Sequence, residues 1–218
     1  MEKISSTTPA GLQIQMLSPD TWSVFETLFE KHKGCGGCWC TYNLCPISRF
    51  NRMTRDERKT FQRDLVSRNL SPGLLVLDGD SAVGWCQFGL AECFPRFDRI
   101  RAYQTLAIPP ELVPSWRISC FLVDKDHRGE GISVLALDAA LAHIQQHGGG
   151  IVEAFPIDLP GSSKPQYTGS ASMFRKRGFE AVARLGTRIL LMRLRVSSNT
   201  VPVVHRRDTG MIGGKGRS

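Results

Sequence analysis

The segment Phe121-Leu122-Val123-Asp124-Lys125-Asp126-His127-Arg128-Gly129-Glu130-Gly131-Ile132-Ser133, running into Val134-Leu135-Ala136-Leu137, constrains this chain more than any other. It reads as a buried strand, a basic glycine-bearing turn and a helix. Such a turn leaves backbone N–H groups unpaired at a helix N-terminus, where the dipole adds partial positive charge. That combination suits an anion, above all a pyrophosphate. Gly129 and Gly131 let the backbone come close to a ligand, and Arg128 offers a forked, charged contact. Residues 116–123 alternate as a partly buried strand should. The helix after the turn carries Ile132, Leu135, Ala139 and Ala142 on one face and Val134, Leu137, Leu141 and Ile144 on the other, which predicts cover on two sides. It should stop at His147, before Gly148-Gly149-Gly150.

The rest of the chain is organised around that unit. Residues 1–11 read as a flexible lead-in, 12–196 as one domain and 197–218 as a basic, mobile tail. Residues 12–17 alternate as a short strand; Ser18-Pro19 then starts a helix with Trp22, Phe25, Leu28 and Phe29 on its apolar face. Thr54-Arg55-Asp56-Glu57 is a capping box for a second helix, with Phe61, Leu65 and Val66 inward. Strands at 74–77 and 82–90 form a hairpin across Asp78-Gly79-Asp80. Residues 91–115 are expected to be irregular, 151–155 a strand parallel to the central one, and 160–167 a loop. A short helix at 170–177 stops at Gly178, and strands at 179–184 and 187–196 close the sheet. The fold class is therefore α/β, or α+β: a mixed, mostly antiparallel twisted sheet flanked by helices, with a central βαβ unit.

Composition narrows the partners. Hydrophobic residues make up 41% and charged residues 22%, which excludes a largely disordered chain. No apolar run approaches the roughly 20 residues that span a bilayer, and the polar N-terminus lacks a signal-peptide pattern, so a cytoplasmic protein without membrane association is expected. The net charge of +8 raises nucleic acid as a partner, but the basic residues are scattered and carry no binding signature. An anionic small molecule fits them better, and nucleic acid is not expected.

The spacing Arg128-x-x-Gly131-x-Ser133 resembles the acyl-CoA pyrophosphate loop of the GNAT acetyltransferases, with Ser133 where that family usually has Gly or Ala. Ser170-Ala171-Ser172-Met173-Phe174-Arg175-Lys176-Arg177-Gly178-Phe179 is similar to the family's fourth-helix pattern, and the likeness in element order spans about 12–196. The resemblance implies an N-acetyltransferase that takes acetyl-CoA as co-substrate and passes acetyl directly to an amine-bearing acceptor. It places the acyl-CoA arm along Phe121, Leu122 and Val123 and the pyrophosphate on Arg128, Gly129, Glu130, Gly131, Ile132 and Ser133, with Phe174 beside the thioester. The family's usual tyrosine is replaced by Phe174, which has no proton to give. Tyr167, Ser170 and Ser172 are therefore candidates for the acid and Glu153 for the base; Glu92, Asp124 and Asp158 are further carboxylates of the same kind. A homodimer is compatible with this reading.

Seven cysteines without a secretion signal argue for reduced thiols or metal rather than disulfides. Cys35-Gly36-Gly37-Cys38-Trp39-Cys40 with Cys45 places four thiols in eleven residues, a weak candidate for zinc or for redox chemistry. The spacing is too tight for an ordinary zinc ribbon, so zinc is not expected, and the resemblance puts Trp39, Cys40 and Tyr42 on the acceptor wall. Cys86, Cys93 and Cys120 read as small core side chains. Two other functions stand beside the enzyme: a GNAT-fold module that holds acyl-CoA with little turnover, and a zinc-stabilised interaction protein.

Overall fold

Apolar alternation and turn chemistry build a seven-stranded sheet among residues 11–158 and 167–199, those that the computed structural model describes. The strands are β1 (Gln13–Met16), β2 (Leu74–Asp78), β3 (Ser81–Leu90), β4 (Trp116–Val123), β5 (Gly150–Ala154), β6 (Glu180–Leu185) and β7 (Ile189–Val196). Their order is β1-β2-β3-β4-β5-β7-β6. Every neighbouring pair is antiparallel except β4–β5, which is parallel as the βαβ reading requires. The readings of a flexible lead-in, of a loop over 160–166 and of a mobile tail fall on residues outside those described, save for residues 11, 167 and 197–199.

The helices are α1 (Trp22–Lys31), α2 (Ile47–Arg52), α3 (Arg55–Ser67), α4 (Arg101–Gln104), α5 (Ile132–Gln146) and α6 (Ala171–Arg175). On one face of the sheet α5 packs over Val76, Phe88, Ile118 and Phe121; on the other, α1 presents Phe25 and Phe29 to Leu75, Trp85 and Leu122. The expected two-sided cover of α5 is corrected. Ile132, Ala136, Leu137, Ala140 and Ile144 form one buried stripe, whereas Val134, Leu135, Ala139 and Leu141 are half-buried and Ala142 is exposed. The spacing of four, one, three and four residues keeps the stripe on one side of a 3.6-residue helix. Helix α3 opens on both arms of its capping box: Thr54 accepts from the Glu57 amide at 3.2 Å and Glu57 from the Thr54 amide at 2.6 Å. Leu65 and Val66 are buried as expected, but Phe61 is only half-buried beneath Arg49.

Two irregularities shape everything that follows. The first is in β4, where Cys120 pairs with Gln87 and Ile118 with Phe88, leaving Ser119 as an unpaired bulge. Such an insertion bends the strand and re-aims the side chains beyond it. The second is the brevity of the β4–β5 ladder, which runs from Trp116↔Val152 through Arg117↔Glu153 to Ile118↔Ala154. Strand β4 continues to Val123, so the two strands part beyond that point.

A buried ionic cluster holds the strands at the parting. Glu153 is 0% exposed and Arg117 1%. The Glu153 carboxylate accepts from Arg117 Nε at 3.4 Å, from Arg193 at 2.8 and 2.9 Å, and from the Tyr103 hydroxyl at 2.9 and 3.0 Å. Asp98 takes the other edge of the Arg117 guanidinium, and the Phe94 carbonyl accepts from it at 3.1 Å. A buried charge is tolerated when its lone pairs are filled in this way, and removing one partner strands the other in a dry interior. Glu153→Ala should therefore lower the unfolding free energy in urea by about 3–5 kcal/mol, and a loss below about 1 kcal/mol would show that the cluster does not hold these strands.

Candidate functional site

The turn after β4 is fixed at three points. Asp124 caps it by accepting from the Asp126 amide at 3.1 Å. Lys31, at the end of α1, reaches across with Nζ 2.6 Å from Asp124 and 2.8 Å from Asp126. Burial works against the Asp124 carboxylate, but Lys31 and the Asp126 amide outweigh it and lower its pKa. Gly129 and Gly131 then take φ of 86° and 80°, and Gly131 is the residue from which α5 starts, its carbonyl accepting from Val134 and Leu135 at 2.9 and 3.0 Å. A Cβ on either glycine would meet nothing within 4 Å, so backbone sign rather than crowding demands glycine, and the turn faces open space. Among the described residues the amides of 129–133 donate to no backbone carbonyl, and Arg128 makes no hydrogen bond or ion pair. Five uncommitted donors at the start of a fifteen-residue helix, with a free guanidinium beside them, can bind an anion.

A cleft of about 320 Å³ opens from this turn along β4. Phe121, Val123, Arg128 and Ser133 line one side; Tyr167, Gly169, Ser170 and Met173 line the other. Six residues singled out in the sequence thus meet in one place. The Phe121 amide donates to the Tyr167 carbonyl at 2.6 Å, which points this edge of β4 into the gap left by β5. Strand alternation turns the Val123 amide the same way. Tyr167 is 42% exposed; burial, together with the Cys35 thiol, raises its phenol pKa, and Arg128 acts in the opposite direction. Ser170 caps α6 by accepting from the Met173 amide at 3.2 Å and lies 3.0 Å from the Ser172 hydroxyl.

Other sequence candidates lie elsewhere. Leu122 faces the opposite side of the sheet, against Trp85, and the Ile132 side chain is sealed under the sheet, leaving only its amide at the turn. Glu130 pairs with His127 at 3.1 Å. Phe174 is 0% exposed, held between Phe121 and Phe179 with ring centroids 6.1 and 5.0 Å away, and lies behind Gly169 of the cleft wall, 3.0 Å from where a Cβ there would stand. Glu153 as a general base is corrected: its carboxylate is filled by Arg117, Arg193 and Tyr103 and meets no solvent. The acceptor-wall reading is corrected for Trp39 and Cys40, which are 0% and 2% exposed. Trp39 stacks on Phe29 at 5.6 Å because that burial offsets the strain of its left-handed backbone. Tyr42 remains half-exposed under Arg96, whose guanidinium lies 3.8 Å from the ring centroid and donates to its hydroxyl.

Sequence reasoning missed Gly169 and Cys120. A Cβ at Gly169 would come within 2.7 Å of Met173 and 3.2 Å of Phe121, so glycine lets this wall close on β4. Its signal was the Thr-Gly-Ser turn before α6. Cys120 extends from β4 to the cysteine loop, 3.3 Å from Cys40. Among the described residues no group of three or more His, Cys, Asp or Glu side chains is arranged to hold a metal ion, and no helix is long and apolar enough to cross a membrane.

No family profile matches the sequence, and no curated protein matches it closely. The architecture is that of known structures. An N-acetyltransferase from Staphylococcus aureus Mu50 superposes with a TM-score of 0.50 at 17% identity, covering 85% of this chain and 99% of that one. A ribosomal-protein-S5-alanine acetyltransferase from Vibrio fischeri gives 0.50 at 13% identity, over 88% and 97% of the two chains. A structure from Desulfovibrio desulfuricans described as an inferred GNAT-family acetyltransferase gives 0.50 at 14%, over 85% and 99%. At such identities the likeness is one of architecture, and it agrees with the strand order, the parted central strands and the glycine turn: the chain has the fold of the GNAT acetyltransferases.

Proposed function

We propose that the chain is an N-acetyltransferase that takes acetyl-CoA and acetylates an amine by direct attack within a ternary complex. The observation that carries this reading is the cleft that joins an uncommitted anion-binding turn to the gap between β4 and β5. The fit is chemical: the pyrophosphate needs donors and positive charge, which the amides of 129–133 and Arg128 offer, and the pantetheine arm needs strand-edge groups, which β4 offers at Val123. When bound, acetyl-CoA supplies an activated acyl carbon and a thiolate leaving group.

The protein's own groups orient and move protons. Arg128 and the turn fix the anionic end of the donor, with the α5 dipole behind them. Tyr167 stands at the cleft with a raised pKa, so its phenol stays protonated through neutral and mildly alkaline pH and can donate toward a departing sulfur. Phe174 cannot do this; Ser170 accepts from the Met173 amide and keeps its own hydroxyl proton, 3.0 Å from the Ser172 hydroxyl, as a second donor. The acceptor amine must lose a proton, and since Glu153 is sealed in its ion cluster, water in the open cleft is the route to bulk. The resemblance assigns Tyr42 to the acceptor side, where its half-exposed ring would carry the Arg96 guanidinium that lies over it. A module that binds acyl-CoA without turnover is the second reading, favoured by the burial of Phe174 where an acid would otherwise stand.

Two sets of variants separate these readings. Arg128→Ala should weaken acetyl-CoA binding in calorimetry by about tenfold or more, and Gly131→Val, which a φ of 80° disfavours, should do so as well; unchanged affinity in both removes the turn from the donor site. Tyr167→Phe should leave acetyl-CoA affinity within about twofold and reduce kcat against an amine panel by about 100-fold. Full activity in Tyr167→Phe would assign the proton to solvent, and no turnover in the unaltered protein would leave the binding module.

A further inference from the structure

Four thiols from two distant parts of the chain converge on the side of β4 away from α5. Cys40 Sγ is 3.3 Å from Cys120 Sγ and accepts from the Trp85 indole N–H at 3.2 Å. The Cys40 amide donates to Cys38 Sγ at 3.4 Å, and Cys35, Cys40 and Cys120 share one buried cluster against which Cys38 packs. Lys33, Gly34, Cys35, Gly36 and Gly37 all have positive φ, as do Trp39 and Cys40. A non-glycine residue in that region costs of order 1 kcal/mol, so a loop that holds several is over-determined by its surroundings. Gly34 cannot be replaced, since a Cβ there would lie 2.6 Å from Trp39 Nε1.

The four thiols are not equivalent. Cys35, Cys40 and Cys120 are buried, whereas Cys38 is half-buried and meets solvent. Arg58 donates to the Gly37 carbonyl at 3.1 Å, which sets a guanidinium beside Cys38. Hydrogen bonds from Cys35 and Cys40 lower the Cys38 pKa, with Arg58 adding to the effect, while the Cys35 thiol is pushed up. A half-buried thiol that takes an amide donor at its sulfur and has a guanidinium nearby, with a second thiol three residues away, is the arrangement of a reversible dithiol. Gly36, between the two, faces open space and leaves the turn room to tighten.

We propose that Cys35 and Cys38 form a redox-modification site, oxidised by a hydroperoxide to a reversible disulfide across the Cys35-Gly36-Gly37-Cys38 turn. The Cys38 thiolate attacks one peroxide oxygen, the O–O bond breaks, and the departing hydroxide takes a proton to leave as water. The resulting Cys38 sulfenic acid is attacked at sulfur by Cys35, and its oxygen departs with the Cys35 proton as a second water. Two thiols and hydrogen peroxide give one disulfide and two waters. Cys40 and Cys120, whose sulfurs lie 3.3 Å apart, are both buried and lack the solvent access that half-buried Cys38 has to start the sequence. Oxidation changes the Cys35 side chain within the buried cluster it shares with Cys120, which is next to Phe121 in the cleft wall. A buried hydrogen-bond chain also joins the loop to the bulge: the Ser119 hydroxyl donates to Gln87 at 2.8 Å, and Gln87 donates to the Cys40 carbonyl at 2.9 Å. The site does not depend on acetyl transfer, and its readout is covalent.

The test is peroxide treatment of the full, pre-reduced chain, alkylation of the remaining thiols, cleavage after Lys33 and Arg49, and mass spectrometry. The fragment 34–49 should lose the mass of two hydrogens, leave two of its four cysteines unalkylated, and recover fully with dithiothreitol. Fragmentation should place the bridge between Cys35 and Cys38, which decides the matter in the unaltered protein even if substituted loops fold poorly. Cys38→Ser should abolish the change, and Cys45→Ser should retain it. Four alkylated cysteines after peroxide, a cross-link from this fragment to Cys120, irreversible oxidation of Cys38, or one bound zinc per chain that blocks alkylation would each overturn the proposal.

Discussion

Arg117 and Glu153 face each other across the two parallel strands of the sheet one residue before those strands separate. A carboxylate and a guanidinium removed from water are costly, and the cost is offset only because Arg193, Tyr103, Asp98 and backbone carbonyls fill the remaining positions. The arrangement holds β4 to β5 where the ladder has almost ended. Without it, a three-pair parallel ladder would have little to resist continued zipping or complete separation. The gap that becomes the cleft is thus defined at its closed end by charge and at its open end by the Ser119 bulge, which bends β4 away.

The cleft joins features from both faces of the sheet. The glycine turn leads into α5, but Lys31 of α1, on the other face, pins its start through Asp124 and Asp126. The wall opposite β4 is carried by the segment entering α6, locked by one hydrogen bond from Phe121 to Tyr167 and by the close approach that Gly169 permits. The cleft therefore forms where three segments distant in sequence converge, with strand on one side and a short helix cap on the other.

Much of this was readable from the amino acids. The strands, α1, α3 and the helix after the turn follow from alternation, caps and glycine stops, which are local signals, and the positive φ at Gly129 and Gly131 follows from the turn they must make. Glu153 was misread because an isolated carboxylate in a sequence looks the same whether it meets solvent or three buried donors; its partners come from residues 103, 117 and 193. Trp39 and Cys40 were placed on the acceptor wall because the family resemblance implies that this segment lines it, whereas left-handed geometry folds their side chains inward. Cys120 carried no signal at all, since its neighbours in the cluster are eighty residues away in the chain.

The loop from Lys33 to Cys40 has a consequence in stereochemistry. Seven of its eight residues have positive φ, Cys38 alone at −85°, so it runs locally as the mirror image of an ordinary right-handed turn. Residues of the opposite chirality suit such a backbone better than natural ones. A D-alanine at the exposed Gly36 would occupy its own preferred region and restrict the unfolded chain, a gain of about 0.4–1 kcal/mol, whereas L-alanine there would meet the strain that glycine avoids. Chemical ligation could thus reinforce this segment where the genetic code, outside glycine, has no residue that fits it without strain.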